Sequence, residues 1–292
     1  MTAWALEMTG RLRSGSPLLS ETASVAWPAM DAQGRAAVYG ATMPLAMIVA
    51  VGATVLFTSF LSGIFGMAGG LVLLGVLLVI LDVTSAMILF GVTQLGANGW
   101  RTFLWRGHIV WRLVWPYIGG ALAMFAFMKL VAFLPDKAMV YIGLGLLPIV
   151  GDLVPPTWRP DITRRFMPFT CGAFIMALQL MAGAAGSVLD IFFQRSALDR
   201  KQIVATKAIT QVIAHVCRIA YFGSFAIPAA DVLPWWIYVG AVALALAGTS
   251  LAAVVLHRMT DENFRRWSRW LILTVSVVYL VRGVWLLVAP AA

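Results

Sequence analysis

The feature that most constrains the fold of this chain is a glycine-rich break inside a long apolar run. No charged residue lies between Arg35 and Asp82, and four glycines fall within positions 63–70. Each glycine inside a helix costs about 1 kcal/mol relative to alanine, so this stretch is a poor helix former. Within a bilayer, non-helical backbone is tolerated only where protein buries it or where it lines a polar cavity. The sequence therefore predicts a broken membrane helix with part of a binding site at the break.

Composition indicates that this break belongs to a polytopic membrane protein. Hydrophobic residues make up 61% of the chain and charged residues only 11%, whereas soluble domains carry about 25% charged residues. The net charge of +9 comes from short basic clusters between apolar runs, which is a topology signal. We therefore expect membrane lipid around the chain and no nucleic-acid partner. The two cysteines and three histidines show no disulfide or metal-ligand spacing, and we expect no cofactor.

A second copy of the break lies 117 residues further along the chain. At this spacing, the run Gly66-Met67-Ala68-Gly69-Gly70 aligns with Gly183-Ala184-Ala185-Gly186-Ser187. The same shift, without a gap, aligns four more segments: Leu81-Asp82 with Leu198-Asp199, Thr93-Gln94 with Thr210-Gln211, Ala97-Asn98 with Ala214-His215, and Arg101 with Arg218. The sequence therefore predicts an internal repeat. The predicted organisation is a polar N-terminal tail at 1–43, a first transmembrane repeat at 44–150, a cytoplasmic linker at 151–165 and a second transmembrane repeat at 166–292.

The distribution of basic residues predicts which loops face the cytoplasm. The loops 100–112, 151–165, 195–201 and 257–269 together hold 13 Lys and Arg residues, whereas those on the other side, apart from the N-terminal tail, hold one. By the positive-inside rule the first set is cytoplasmic, which places both termini outside. The predicted fold is an all-α integral membrane protein with two inverted-topology repeats. Each repeat has a broken hairpin followed by three transmembrane helices, an arrangement common in secondary transporters.

The short second legs of the predicted hairpins locate the two breaks. Residues 71–81 and 188–198 form legs of about 17 Å at 1.5 Å per residue, which is shorter than the hydrocarbon core of about 30 Å. Both breaks are therefore expected near the middle of the membrane, facing each other. A helix N-terminus presents free N–H groups and about half a positive charge. Two such N-termini predict a site for a small anionic substrate.

The predicted substrate contacts combine the two breaks with polar side chains on the helices that follow them. These residues are Gly66, Gly69, Gly70, Leu71, Thr93, Gln94, Asn98, Gly183, Gly186, Ser187, Thr210, Gln211 and His215. A structural alternative stays open, because small residues and polar side chains also hold membrane helices together.

Four charged residues inside or beside the apolar segments are candidates for gating or coupling: Asp190, Lys207, Arg101 and Arg218. Asp190 could carry a coupling proton, or it could pair with Arg195 or Lys207. Lys207 could attract the anion or extend to the membrane interface. Arg101 and Arg218 are expected near opposite membrane faces, where they would draw anions into two mouths. The sequence leaves open whether a proton or a sodium ion is coupled, and whether the chain forms a homo-oligomer.

Three motifs resemble those of the TauE/SafE sulfite exporter family, also called the toluene-sulfonate uptake permease family. They are Phe65-Gly66-Met67-Ala68-Gly69-Gly70, Thr93-Gln94-x-x-Ala97-Asn98 leading into Arg106-Gly107-His108-Ile109, and Ala205-Thr206-Lys207-Ala208-x-x-Gln211. The resemblance covers residues 50–285. It implies a bacterial inner-membrane protein that transports sulfur-containing anions such as sulfite, sulfonates or sulfoacetate. The chain has Ala68 where another glycine is common, and its second glycine motif is sparse, which leaves the exact substrate open.

Two other functions are compatible with the sequence. A passive anion channel would use the same site without coupling. An intramembrane hydrolase would need Ser62 or Ser187 beside His215, with no acid obviously placed to orient the histidine. There is no glutamate between residues 22 and 261, which removes the common carboxylate and metal sites. We therefore predict a transporter rather than an enzyme.

Overall fold

A computed structural model describes residues 45–65, 67–225, 233–256 and 261–289, so the predicted N-terminal tail and Gly66 lie outside the described residues. Within these ranges the chain is helical, with no β-strand. The helices are α1 (Leu45–Phe65), α2 (Met67–Ile80), α3 (Val83–Leu104), α4 (Trp111–Val131), α5 (Lys137–Leu153), α6 (Met167–Met181), α7 (Gly186–Phe193), α8 (Arg200–Gly223), α9 (Trp235–Leu256) and α10 (Asp261–Val288). A single 3₁₀ turn, Arg106–His108, follows α3. The all-α prediction is confirmed.

Several of these helices are long and apolar enough to cross a membrane. By length and composition, four segments of the described chain meet this condition: Trp111–Val131, Arg200–Gly223, Trp235–Ala252 and Arg269–Val288. Shorter apolar helices occupy Met47–Ser62, Ala68–Ile80 and Met167–Met181. The chain is therefore a multi-pass membrane protein.

Aspartate side chains begin three of the helices. Asp82 precedes α3 and accepts a hydrogen bond from the backbone N–H of Ser85 at 3.0 Å. Asp199 precedes α8 and forms a reciprocal capping box with Gln202. Asp136 precedes α5 and accepts a hydrogen bond from the backbone N–H of Met139 at 2.7 Å. An N-cap carboxylate satisfies one of the free N–H groups of the first turn. The aligned aspartates of the two predicted repeats thus have the same structural role.

The described parts of the four arginine-rich segments lie at one end of the helical bundle, and residues 261–269 of the last segment belong to α10. Arg269 pairs with Asp152 at 2.9 Å, joining the start of α10 to the end of α5. Arg195 donates to the carbonyl of Thr157 at 3.0 Å, which ties the linker after α5 to the segment after α7. The backbone N–H of Val110 donates to Thr206 Oγ1 at 3.0 Å, so the loop after α3 meets the start of α8. That this end faces the cytoplasm stays a prediction.

The linker within this end carries its own carboxylate, Asp161. Burial favours a higher pKa for Asp161, but two hydrogen bonds from Thr163, together with the charges of Arg164 and Arg195, lower the pKa below its usual value. A carboxylate that accepts such bonds is stabilised in its charged form. Asp161 therefore stays ionised and helps to order the segment between α5 and α6.

Helices α3 and α8, the aligned helices of the two predicted repeats, pack along each other in opposite directions. The start of α8 meets the loop after α3 at Val110, while Gly91, in the first half of α3, lies against Ile219, near the end of α8. The other extensive pairs are α1 with α9, α4 with α6, and α5 with α10. In the two predicted repeats, α1 corresponds to α6 and α4 corresponds to α9. The α1–α9 pair therefore corresponds to the α4–α6 pair. The inversion of the repeats across a membrane stays a prediction.

The two hairpins differ from their predicted lengths. Helix α2 begins at Met67, so Gly69 and Gly70 lie in its first turn rather than in the break. A Cβ on Gly69 would lie only 2.2 Å from the carbonyl oxygen of Thr58, so close packing of α1 on α2 requires a glycine there. Helix α2 is about 21 Å long and α7 about 12 Å. The prediction of two equal legs of 11 residues is therefore wrong.

Candidate anion site

The second break lies at Gly183, between α6 and α7. Gly183 has a φ of +78°, a conformation that side chains disfavour. A Cβ at this position would lie 2.3 Å from Cδ2 of Leu74 and 2.9 Å from Cε of Met87. Met87 is the fifth of the 22 residues of α3, so the break lies towards one end of that helix. The expected depth of this break, near the middle of the membrane, stays a prediction.

The first hairpin contacts α3 at a different level. A Cβ on Gly70 would lie 2.8 Å from Nε2 of Gln94, so the backbone of α2 and the Gln94 amide meet closely. Gln94 is midway along α3, and Met87 is about 10 Å nearer its start. The two hairpins are therefore staggered along α3 rather than facing each other at one level. This stagger differs from the predicted joint site.

The side chain of Arg218 lies at the second break and is wholly buried. Its Nη2 donates to the carbonyl oxygens of Gln179, at 3.1 Å, and of Gly183, and to the side-chain oxygen of Gln179. Gln179 O and Gly183 O lie at the end of α6, where backbone carbonyls lack partners within the helix and carry partial negative charge. Arg218 therefore caps α6. Its expected place at an open mouth is wrong, because no part of the side chain is accessible.

Two further groups lie beside the Arg218 guanidinium, and a third contacts Gln179. Nη1 lies 3.3 Å from Nδ1 of His215, and Cζ lies 4.9 Å from the ring centroid of Phe90. Nε2 of Gln179 donates to Oε1 of Gln211 at 2.9 Å. We call Gln179, Gly183, Gln211, His215 and Arg218 the Arg218 cluster. The cluster thus contains three predicted substrate contacts, Gly183, Gln211 and His215, and one predicted gating residue, Arg218.

The Arg218 cluster carries a positive charge that no carboxylate balances among the described residues. The ion pairs found among the described residues join Lys207 to Asp190 and Arg269 to Asp152, and neither includes Arg218. A buried charge is costly unless it is paired and hydrogen-bonded. Two buried donor atoms, Nε of Arg218 and Nε2 of Gln211, also lack a hydrogen-bond partner. Positive charge and unused donors together suit an anion.

Gln179 is the residue of the Arg218 cluster that the sequence did not predict. It lies four residues before Gly183 in a mostly apolar helix and is buried. The repeat contained a signal for it, because a shift of 117 aligns Gln179 with Ser62, which also lies four residues before its glycine. Polar residues at both aligned positions indicate a shared role next to the breaks.

The first repeat contains a cluster of similar pattern, formed by Gln94, Asn98 and Arg101, which we call the Arg101 cluster. Nη1 of Arg101 donates to Oδ1 of Asn98 at 3.3 Å, and Nδ2 of Asn98 donates to the Gln94 carbonyl at 3.0 Å. The contact of Arg101 with the residue three positions earlier matches that of Arg218 with His215. Unlike Arg218, Arg101 is partly exposed.

Other predicted contacts are occupied within the helices. Thr93 donates to the Leu89 carbonyl at 2.8 Å and Thr210 to the Lys207 carbonyl at 2.9 Å, and both threonines are buried. The carbonyl of Leu71, a buried residue of α2, accepts from the Tyr279 hydroxyl at 3.0 Å. Gly186 and Ser187 form the first turn of α7. Asp190 pairs with Lys207, one of its two predicted partners, whereas Arg195 donates to the linker.

The match with known families now identifies the chain. A family model described as Sulfite exporter TauE/SafE matches residues 51–279. The chain belongs to this family. The matched region of this TauE/SafE protein includes both clusters and the whole of each described hairpin apart from the start of α1. No curated protein and no solved structure matches it. The family consists of sulfite-exporter-type membrane transporters, so the predicted resemblance is confirmed.

Proposed function

We propose that this TauE/SafE protein is a secondary transporter of a sulfur-containing anion such as sulfite, a sulfonate or sulfoacetate. The observation that carries the proposal is the buried Arg218, whose charge has no carboxylate partner among the described residues. A guanidinium presents a planar set of donors that matches the oxygens of an oxyanion. The proposed location is the bacterial inner membrane, with both termini outside.

The bound anion would take over contacts that Arg218 now makes within the protein. Nη2 is held by Gln179 and by the carbonyl of Gly183, while Nε has no partner. Nε2 of Gln211 is a second buried donor of the cluster without a partner. Because substrate charge offsets the buried guanidinium, an anion is favoured over a neutral molecule of the same shape.

The antiparallel packing of α3 on α8 supports alternating access around this site. Arg218 lies over Phe90, and Phe90 is about 16 Å from Arg101 along α3 at 1.5 Å per residue. One arginine is therefore near each end of the same helix pair, and one is buried while the other is partly exposed. Inverted repeats that exchange these environments would open the path to one side at a time.

The enzyme alternative gains no support from the position of His215. A catalytic histidine is usually oriented by a carboxylate, but Nδ1 of His215 lies against the Arg218 guanidinium and its ring contacts Phe90. The passive channel alternative is tested by accumulation, because only a coupled transporter concentrates its substrate.

The test is uptake of radiolabelled sulfite into proteoliposomes that contain the purified full chain. Arg218→Gln should lower the initial rate by more than about tenfold, because it removes a charge-assisted contact to the anion. Arg218→Lys, which keeps the charge, should retain an intermediate rate. Arg282→Gln is the matched control, since Arg282 is exposed and lies over Trp285 at the protein surface. Wild-type uptake by a correctly folded Arg218→Gln protein would contradict the proposed site.

A further inference from the structure

An ion pair between Asp190 and Lys207 lies near the arginine-rich end of the α3/α8 pair. Asp190 is on α7 and Lys207 is on the second turn of α8. Arg101 is in the last turn of α3, and the loop after α3 contacts the second turn of α8 through the hydrogen bond from the Val110 N–H to Thr206 Oγ1. Two cations, Arg101 and Lys207, and one carboxylate therefore lie where α7, α8 and the end of α3 come together.

The repeat explains why two cations meet there. Lys207 aligns with Phe90 and Arg101 aligns with Arg218 at the 117-residue shift. By the repeat, the contact of Arg218 with the Phe90 ring thus predicts that Arg101 and Lys207 lie side by side. An aromatic ring stabilises a cation, whereas a second cation destabilises it unless an anion is near. The position beside Arg101 and Lys207 consequently requires negative charge, and Asp190 now supplies it.

Accessibility distinguishes this position from the Arg218 cluster. The side chains of Lys207 and Asp190 are 25% and 29% exposed, whereas Arg218 is 0% exposed. An anion arriving from the arginine-rich end can therefore reach Lys207 before it can reach Arg218. A carboxylate and a sulfonate or sulfite both present oxygens that accept from an ammonium or a guanidinium. Asp190 and the substrate thus compete for the same donors.

We propose that Arg101 and Lys207 form a second anion-binding position and that Asp190 is an internal counter-ion. This proposal rests on the proposed function. The substrate displaces the Asp190 carboxylate from Lys207 before it moves on to the Arg218 cluster. Helix α7 has only eight residues, and the Asp190–Lys207 pair is one of its polar attachments to α8. Displacement of Asp190 therefore loosens α7, which links anion arrival to movement of the second hairpin.

The experiment measures sulfite affinity by calorimetry on the purified full chain, together with sulfite uptake by proteoliposomes at one fixed pH. Asp190→Asn keeps the shape of the side chain and removes the competing charge, so it should tighten sulfite binding by roughly three- to tenfold. Lys207→Met should weaken binding. Asp152→Asn is the matched control, because Asp152 also pairs with an arginine at this end but is exposed. It should leave sulfite affinity unchanged.

A charge exchange separates competition from a purely structural pair. The double variant Asp190→Lys with Lys207→Asp keeps an ion pair but places the carboxylate on α8, so sulfite should bind it more weakly than it binds the wild type. Wild-type affinity in this variant, or weaker binding in Asp190→Asn, would overturn the proposal. Loss of concentrative uptake in Asp190→Asn without tighter binding would also overturn it, in favour of proton coupling at Asp190. If the wild-type protein transports neither sulfite, nor a sulfonate, nor sulfoacetate, the proposed function fails instead.

Discussion

At the scale of single residues, Gly183 is a position where both the backbone and the packing exclude a side chain. Gly183→Ala would hold alanine at a φ of +78° and place its Cβ against Leu74 and Met87. We expect a loss of stability of about 1–3 kcal/mol and slower sulfite uptake, because the carbonyl that Arg218 binds must shift. Thermal unfolding in detergent and proteoliposome flux measure the two effects.

Gly99→Ala is the control for this prediction. Gly99 lies inside α3, and a Cβ there would meet nothing within 4 Å. Alanine is a better helix former by about 1 kcal/mol, so Gly99→Ala should match or exceed wild-type stability. Equal unfolding temperatures for the two alanine variants would show that the conformation and packing of Gly183 do not limit stability.

The sequence identified the important residue types better than their contacts. Gln211, His215 and Arg218 were found because the repeat aligns them with Gln94, Asn98 and Arg101. Their arrangement could not be read in the same way, because Arg218 reaches carbonyls of α6 that are 35 and 39 residues away in sequence. Only the packing of α6 against α8 decides whether that guanidinium is buried or lies at a mouth.

At the scale of elements, the N-caps of α3 and α8 show how polar residues start helices in an apolar chain. Asp199 accepts from the N–H of Gln202 at 2.9 Å, and the Gln202 side chain accepts from the N–H of Asp199 at 3.2 Å. Asp199→Ala removes the first of these bonds and should destabilise the protein by about 1 kcal/mol. The measurement is the shift in its thermal unfolding midpoint in detergent.

Asp152→Ala provides the comparison for Asp199→Ala. It removes a carboxylate at the same end of the bundle, but one that takes part only in an exposed ion pair with Arg269. Exposed pairs contribute between 0 and about 1 kcal/mol, so the midpoint should shift less. A larger shift for Asp152→Ala than for Asp199→Ala would mean that the capping box contributes little to the stability of the protein.

Helix starts were more predictable than helix breaks for a physical reason. An N-cap is a local interaction between residues three positions apart. An aspartate such as Asp82 or Asp199 can therefore mark the start of a helix in the sequence. Glycine propensity is a weak preference that tertiary packing overrides. Gly69 and Gly70 remain helical because α1 and Gln94 pack closely on the backbone of α2. The same glycines that suggested a long break therefore serve to bring two helices together.

At the scale of the whole molecule, the stagger of the hairpins changes the expected transport path. One site held jointly by two facing breaks would be a single position near the membrane centre. The structure instead has Arg218 and Arg101 about 16 Å apart along the α3/α8 pair, with Gln94 and Gln211 between them. The repeat predicted which residues share a role, but the antiparallel register of α3 on α8 decides their separation.

The arginine-rich end predicts the orientation of this path in the membrane. Trp158 is 80% exposed in the linker at that end, and Leu134 is 49% exposed in the turn after α4 at the other end. In a chain whose Cys171 and Cys217 are replaced by alanine, we expect a membrane-impermeant maleimide to label Leu134→Cys on intact cells. Trp158→Cys should react only after permeabilisation, because basic loops are retained in the cytoplasm. The reversed pattern would contradict this orientation. It would also place Lys207 and Asp190 at the outer entrance, so that the competing carboxylate would act on anions arriving from outside rather than from the cytoplasm.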